Sequence, residues 1–112
     1  VRDGATTGDV GCATQDTVES QSLAVVRELV GHGVGYQVHE DPRVPNYGRR
    51  GQGDVLREGM VIAIEPMVTT GGWEIERTQD GFGYRTKDGS LSAHFEHTVA
   101  VTKDGCVILT IL

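Results

Sequence analysis

From Gly59 onward the chain is cut into short apolar or alternating segments: GMVIAIEPMV, WEIERT, FGYRTK, HFEHTVAVT and CVILTIL. Between them stand TTGG, QDG, KDG and a second KDG, turn signals that end one extended run and begin the next. Helices need apolar residues recurring every three to four positions over a longer stretch, and these segments are interrupted before that pattern can build. This part of the chain is therefore expected to form a mostly antiparallel sheet.

The upstream part reads differently. TTGDVGCATQDTVES has helical spacing, with Thr7 or Asp9 as the cap and Val10, Ala13, Thr17 and Val18 on one face. SLAVVREL either prolongs that helix or starts a strand, and the β-branched Val25 and Val26 favour a strand. GHGVG is expected to be a loop or a sharply bent strand entry. The stretch from Asp41 to Asp54, with Pro42, Pro45, Asn46 and several glycines, is expected to be a long irregular connection. The expectation is a single α+β domain over residues 1–112, one helix followed by sheet.

Composition narrows the function classes. With 38% hydrophobic and 23% charged residues and no apolar run of membrane-spanning length, the chain reads as a soluble globular protein with no membrane partner. Its net charge is −6 and its ten Lys and Arg residues are scattered, so direct nucleic-acid binding is not expected. Cys12 and Cys106 are far apart and lack CxxC spacing, which suits free thiols in a reducing compartment, and the expected location is cytoplasmic. The opening VRDGATTGDV has neither an initiator Met nor a signal-peptide pattern, so the chain is expected to be a piece of a longer protein.

Four residues stand out chemically. Glu65 ends the apolar run MVIAI and precedes Pro66, and Glu96 interrupts a second strand-like run in SAHFEHTVAVTKDGCVILT. His32 is flanked by glycines that let a partner approach its ring, and His39 follows in YQVHEDP. A buried carboxylate is costly unless compensated. Arg57, Arg77 and Arg85 are available for ordinary ion pairs, whereas a divalent metal would account for carboxylates and imidazoles together. A two-His, one-carboxylate iron triad is a further option for these residue types, but its H-x-D/E opening is absent, as is the H-x-H of a cupin.

Several motifs in order, GHGVG, HEDPRVPNYG, LREGMVIAIEPMV, TKDGSLSAHFEHTVAVTKDG and ILT, together resemble the C-terminal half of a type I methionine aminopeptidase, and GDVGCATQDTVES fits as the helix before them. The resemblance implies the creatinase or "pita-bread" fold, two halves around a dinuclear metal site. It implies His32 and Glu65 as ligands of one metal and Glu96 as a carboxylate bridging both. It implies catalytic roles for His39 and Glu65: His39 hydrogen-bonds the scissile peptide, and Glu65 shuttles a proton from water to the leaving amine. Phe82 would line the methionine pocket and Val38 would lie beside it. Two divalent ions, Co, Mn, Fe or Zn, would generate hydroxide near neutral pH. The substrates implied are peptide or nascent-protein N-termini, with the ribosome as a candidate partner.

Two departures accompany the resemblance. The family pattern SAQFEHT has here His94 in place of Gln, on the same strand face as Glu96, where it would tune the site or add a ligand. His97 falls on the opposite face and is given no metal role. The family's further ligands, aspartates on an upstream strand pair, have no match here, since Asp3 and Asp9 lie in or next to the helix. With His32, Glu65 and Glu96 alone, weak metal binding is expected. The alternatives carried beside the enzyme are a prolidase-like peptidase and a non-catalytic binding protein of the same fold, with ribosome or RNA partners.

Overall fold

The computed structural model describes residues 1–112. Thr6 opens the helix α1, Thr7–Glu19: its hydroxyl accepts the Asp9 N–H at 3.2 Å while the Asp9 carboxylate accepts the Thr6 N–H at 2.8 Å. This reciprocal pair satisfies two of the donors a helix start leaves without partners. The cap is thus one residue before Thr7, and Asp9 is the other half of the box rather than the cap.

The buried face of α1 also differs from the expected one. It consists of Thr7, Gly8, Val10 and Gly11, while Ala13 and Thr17 are exposed. The reason is the connection after Val44, which lies against the first turns of the helix: the Gly8 N–H donates to Gln52 O at 2.9 Å and the Asp54 N–H to Thr7 Oγ1 at 3.1 Å. Small side chains let that backbone approach.

Ten strands follow: β1 Ala24–Val25, β2 Gly31–Gly33, β3 Glu40–Val44, β4 Val61–Ile64, β5 Met67–Thr69, β6 Ile75–Arg77, β7 Tyr84–Thr86, β8 Ser92–His94, β9 His97–Val101 and β10 Cys106–Ile108. They form a five-stranded sheet in the order β10-β9-β4-β2-β3, a three-stranded sheet β1-β5-β8 and the β6-β7 hairpin, with every pairing antiparallel. The α+β class, one helix with a mostly antiparallel sheet, is the observed one. SLAVVREL contributes the short strand β1, as its β-branched residues suggested.

Of the two forms expected for GHGVG, the strand is the observed one: Gly31–Gly33 is strand β2, inside the five-stranded sheet between β4 and β3, with a register shift between His32 and Gly33. Nor is all of Asp41–Asp54 irregular, because β3 occupies it as far as Val44. Ladder bonds from neighbouring strands override weak local β-propensity in both places.

The core lies between α1 and one face of the five-stranded sheet, where Val10, Val44, Leu56, Ile62, Val99 and Val101 pack together with Ile64 and Met60 at the margin. Each such side chain stabilises the fold by about 1.5–3 kcal/mol when fully buried. Of the stretch 92–110, which reads like an interior strand, only Val99 and Val101 are buried. β8 and β10 are sheet edges and all their residues are exposed. Cys12 and Cys106 are free thiols, and no helix is long and apolar enough to cross a membrane.

Candidate metal centre

Pro66 creates the site. Strands β4 and β9 pair from Val61↔Ala100 to Ile64↔His97, and β5 and β8 pair from Met67↔His94 onward, so one register runs through both sheets. At the break, the Phe95 N–H still donates to Pro66 O at 3.2 Å. Proline has no N–H to return, so the ladder gives way there and both strands turn together from one sheet to the other. HFEHTVAVT is consequently two strands, not one.

The same register sets Glu65 directly opposite Glu96, in the class of pair that makes no ladder bonds and whose side chains approach most closely. Like charges placed opposite each other on a sheet destabilise it. Neither carboxylate has a lysine or arginine partner: Glu65 is approached by two histidines, and Glu96 forms no ion pair.

His32 completes the cluster. It pairs with Ala63, and alternation along β4 puts Ala63 and Glu65 on the face opposite the core residue Ile62. His32 Nδ1 lies 2.9 Å from Gly33 O, which can only accept, so Nδ1 carries the proton and Nε2 is left as the ligating atom. That Nε2 is 3.1 Å from Glu65 Oε1, and the side chains are 15% and 14% exposed. A ring held by a backbone carbonyl with its other nitrogen turned toward a carboxylate is an arrangement that suits a metal-ligating histidine. Ligand atoms of His32, Glu65 and Glu96 all lie within 4.8 Å of one another, and two facing carboxylates with an imidazole form a donor set that fits a divalent cation. Glu96 itself is exposed rather than buried, because nothing in this chain lies over the β8–β9 junction.

The glycines beside His32 have a stricter role than access to the ring. A Cβ on Gly31 would fall on the Ala63 carbonyl oxygen, and one on Gly33 on the Asp41 carbonyl oxygen. The neighbouring strands approach the backbone at Gly31 and Gly33 too closely for any side chain there.

The register of β2 against β3 shifts between His32 and Gly33, and His39, just before β3, returns with its ring centroid 4.1 Å from that of His32. His39 and Val38 are exposed, and Phe82, in the β6–β7 turn, is 94% exposed. His94 reaches the site from β8, its Nε2 3.3 Å from Glu65 Oε2. His97 shares the pair position of Ile64 and binds Thr110 Oγ1 through Nδ1 at 2.8 Å, away from the carboxylates.

Two features carry no signal in the sequence. Asn46, fully buried, donates from Nδ2 to the backbone oxygens of Leu29 at 3.5 Å and Glu65 at 3.4 Å, and so helps hold the Glu65 backbone. After Pro45 it carries the sequence signal of a turn residue. A cleft of about 300 Å³ opens beside His94, with Val26, Leu29, Met67, Ile75 and Tyr84 among its walls. Its residues come from the β1–β2 connection and from β5, β6, β7 and β8, and share no motif.

The model of metallopeptidase family M24 matches residues 1–103. The chain belongs to that family. Methionine aminopeptidase A of Synechocystis sp. is 50% identical over 111 residues, covering 99% of this chain and 44% of that protein. Among solved M24 structures, methionine aminopeptidase from Thermotoga maritima superposes with a TM-score of 0.96 at 51% identity, covering all of this chain and 45% of that one. The enzyme from Rickettsia prowazekii gives 0.95 at 46% identity, covering 99% of this chain and 45% of that one. The chain thus has the fold of the C-terminal half of the pita-bread architecture and spans less than half the length of these relatives.

Proposed function

We propose that this chain is the metal-binding part of a methionine aminopeptidase, which removes the first methionine from peptides and nascent proteins. The observation that carries this reading is the facing pair Glu65 and Glu96, without a lysine or arginine partner, with His32 Nε2 at 3.1 Å from Glu65. The relatives named methionine aminopeptidase at about half identity over nearly the whole chain support the substrate class.

In this proposal His32 and Glu65 would hold one ion, Glu96 would be shared with a second, and the metals would be Co, Mn, Fe or Zn. Such ions, when bound, acidify water to hydroxide near neutral pH and polarise a peptide carbonyl. The Glu65 carboxylate accepts the proton released and hands it to the departing amine, as general base and then general acid. His39, open to solvent beside His32, donates a hydrogen bond to the peptide where negative charge develops. Val38, Phe82 and the apolar cleft beside His94 offer surface for the methionine side chain, and apolar pockets of this kind separate similar side chains by about 1–3 kcal/mol. Action on nascent chains would place the protein in the cytoplasm, with the ribosome as a partner.

The test is release of free methionine from a Met-Gly peptide, with Mn²⁺ or Co²⁺ added, by the protein that carries this chain. His39→Ala is expected to keep its metal while kcat/KM falls roughly 10²–10³-fold, the usual effect of losing one donor to a developing oxyanion. Metal analysis of the variant decides: loss of an ion would make His39 a ligand. Wild-type protein that holds metal but releases no methionine would defeat the proposed activity.

A further inference from the structure

The β6–β7 hairpin forms an arm whose strands carry Ile75 and Tyr84, two walls of the apolar cleft, and whose turn carries Phe82. A lone exposed apolar side chain is ordinary on a protein surface. What sets Phe82 apart is the bonding of the turn beneath it. Along the arm, Arg85 stands opposite Glu76 and reaches its Oε1 at 2.7 Å, while the Arg77 guanidinium lies 5.6 Å from the centre of the Tyr84 ring opposite it. At the tip, the Thr78 N–H donates to Gly83 O at 2.9 Å and the Gly83 N–H returns to Thr78 Oγ1 at 2.9 Å.

The Thr78 hydroxyl donates in turn to Asp80 Oδ1 at 2.5 Å, and that same oxygen accepts the Phe82 N–H at 3.1 Å. Gly81 lies between them with φ +77°, a conformation glycine adopts without strain, and its N–H donates to Thr78 O at 2.9 Å. The Thr78 hydroxyl first, and then the Phe82 N–H, hold the Asp80 carboxyl below its ordinary 3.8. One carboxylate oxygen thus fixes the backbone of the exposed aromatic two residues away. A side chain on a backbone already ordered loses less freedom on binding than one on a loose turn, and the difference appears as affinity.

We infer that Asp80, seated by Thr78, is a positioning residue that holds Phe82 ready for the substrate's first side chain, so that substrate binding depends on it and the chemical step does not. The inference rests on the reading above in which Phe82 offers surface to methionine.

The test is KM and kcat for a Met-Gly peptide with Mn²⁺, using the protein that carries this chain. Asp80→Ala is expected to raise KM roughly five- to tenfold while kcat, metal content and Tm stay near wild type, and Asp80→Asn, which keeps the accepting oxygen, should return KM to within about twofold. Thr78→Val, which removes the seat of Asp80, should raise KM in the same direction and serves as a second variant. Phe82→Ala should raise KM at least as much, and adding Asp80→Ala to it should raise KM no further, since Asp80 acts through Phe82. A wild-type KM in Asp80→Ala, or a further rise in the double variant, would overturn the inference and leave the activity standing. A wild type that releases no methionine would defeat the functional reading instead. Hydrogen exchange then decides the positioning: a Phe82 N–H that exchanges no more slowly in the wild type than in Asp80→Ala would remove the role.

Discussion

Glu65 and Glu96 compete before they cooperate. They face each other across the ladder at the position of closest side-chain approach, and without a cation between them the pair is repulsive. Glu96→Gln is therefore expected to act in opposite directions with and without metal. The metal-free variant should be more stable than the metal-free wild type by roughly 0.2–1 kcal/mol, as for a relieved cross-strand like-charge pair. Added Zn²⁺ should stabilise the wild type and leave the variant nearly unchanged. Urea unfolding in chelator and in Zn²⁺ checks both halves, and a variant that is less stable in chelator would show that Glu96 has a structural partner. These acidic residues stand out in the sequence because each interrupts an apolar run. Asn46 does not, because its role depends on the carbonyls of Leu29 and Glu65, which are far from it in the chain.

At the scale of elements, strand spacing and turn ties set the site's precision. β2 runs between β4 and β3 so closely that a Cβ on Gly31 would meet the Ala63 carbonyl. Gly31→Ala should cost about 1–3 kcal/mol by overpacking and should weaken metal binding through displacement of His32; thermal unfolding and Zn²⁺ titration would measure the two effects. Far from the site, Asp88 joins two turns that read as independent in the sequence, accepting the Gly72 N–H at 2.7 Å and the Ser90 N–H at 3.0 Å. These donors, the Gly72 N–H first, lower its pKa from the ordinary 3.8 to about 2. A depressed folded-state value means that the carboxylate's contribution is present above pH 3.8 and is lost as pH falls toward about 2. The stability gap between wild type and Asp88→Asn should accordingly narrow over that window in urea titrations, and a constant gap would remove the linkage.

For the whole molecule, the centre sits where two sheets exchange strands, with Glu65 joining β4 to β5 and Glu96 joining β8 to β9. An ion held there fastens both sheets and should bind the folded state alone. At a Zn²⁺ concentration 100 times Kd the expected stabilisation is about 2.7 kcal/mol, seen as a rise in Tm that a chelator reverses. A Tm indifferent to Zn²⁺ and chelator would show that the cluster does not hold the sheets.

Local chemistry determined a good deal by itself. Short segments between turn signals can only be strands, helical spacing appears once, and carboxylates in apolar runs mark themselves as the residues with work to do, since each of these follows from neighbours a few positions apart. Pairing decided the rest: the register that sets Glu65 against Glu96, the placing of GHG inside a sheet, the exposure of Glu96, and the arrival of His94 at the second oxygen of Glu65. Register is set by ladder bonds between distant stretches and by a proline that cannot complete one, and no local pattern of residues carries that information.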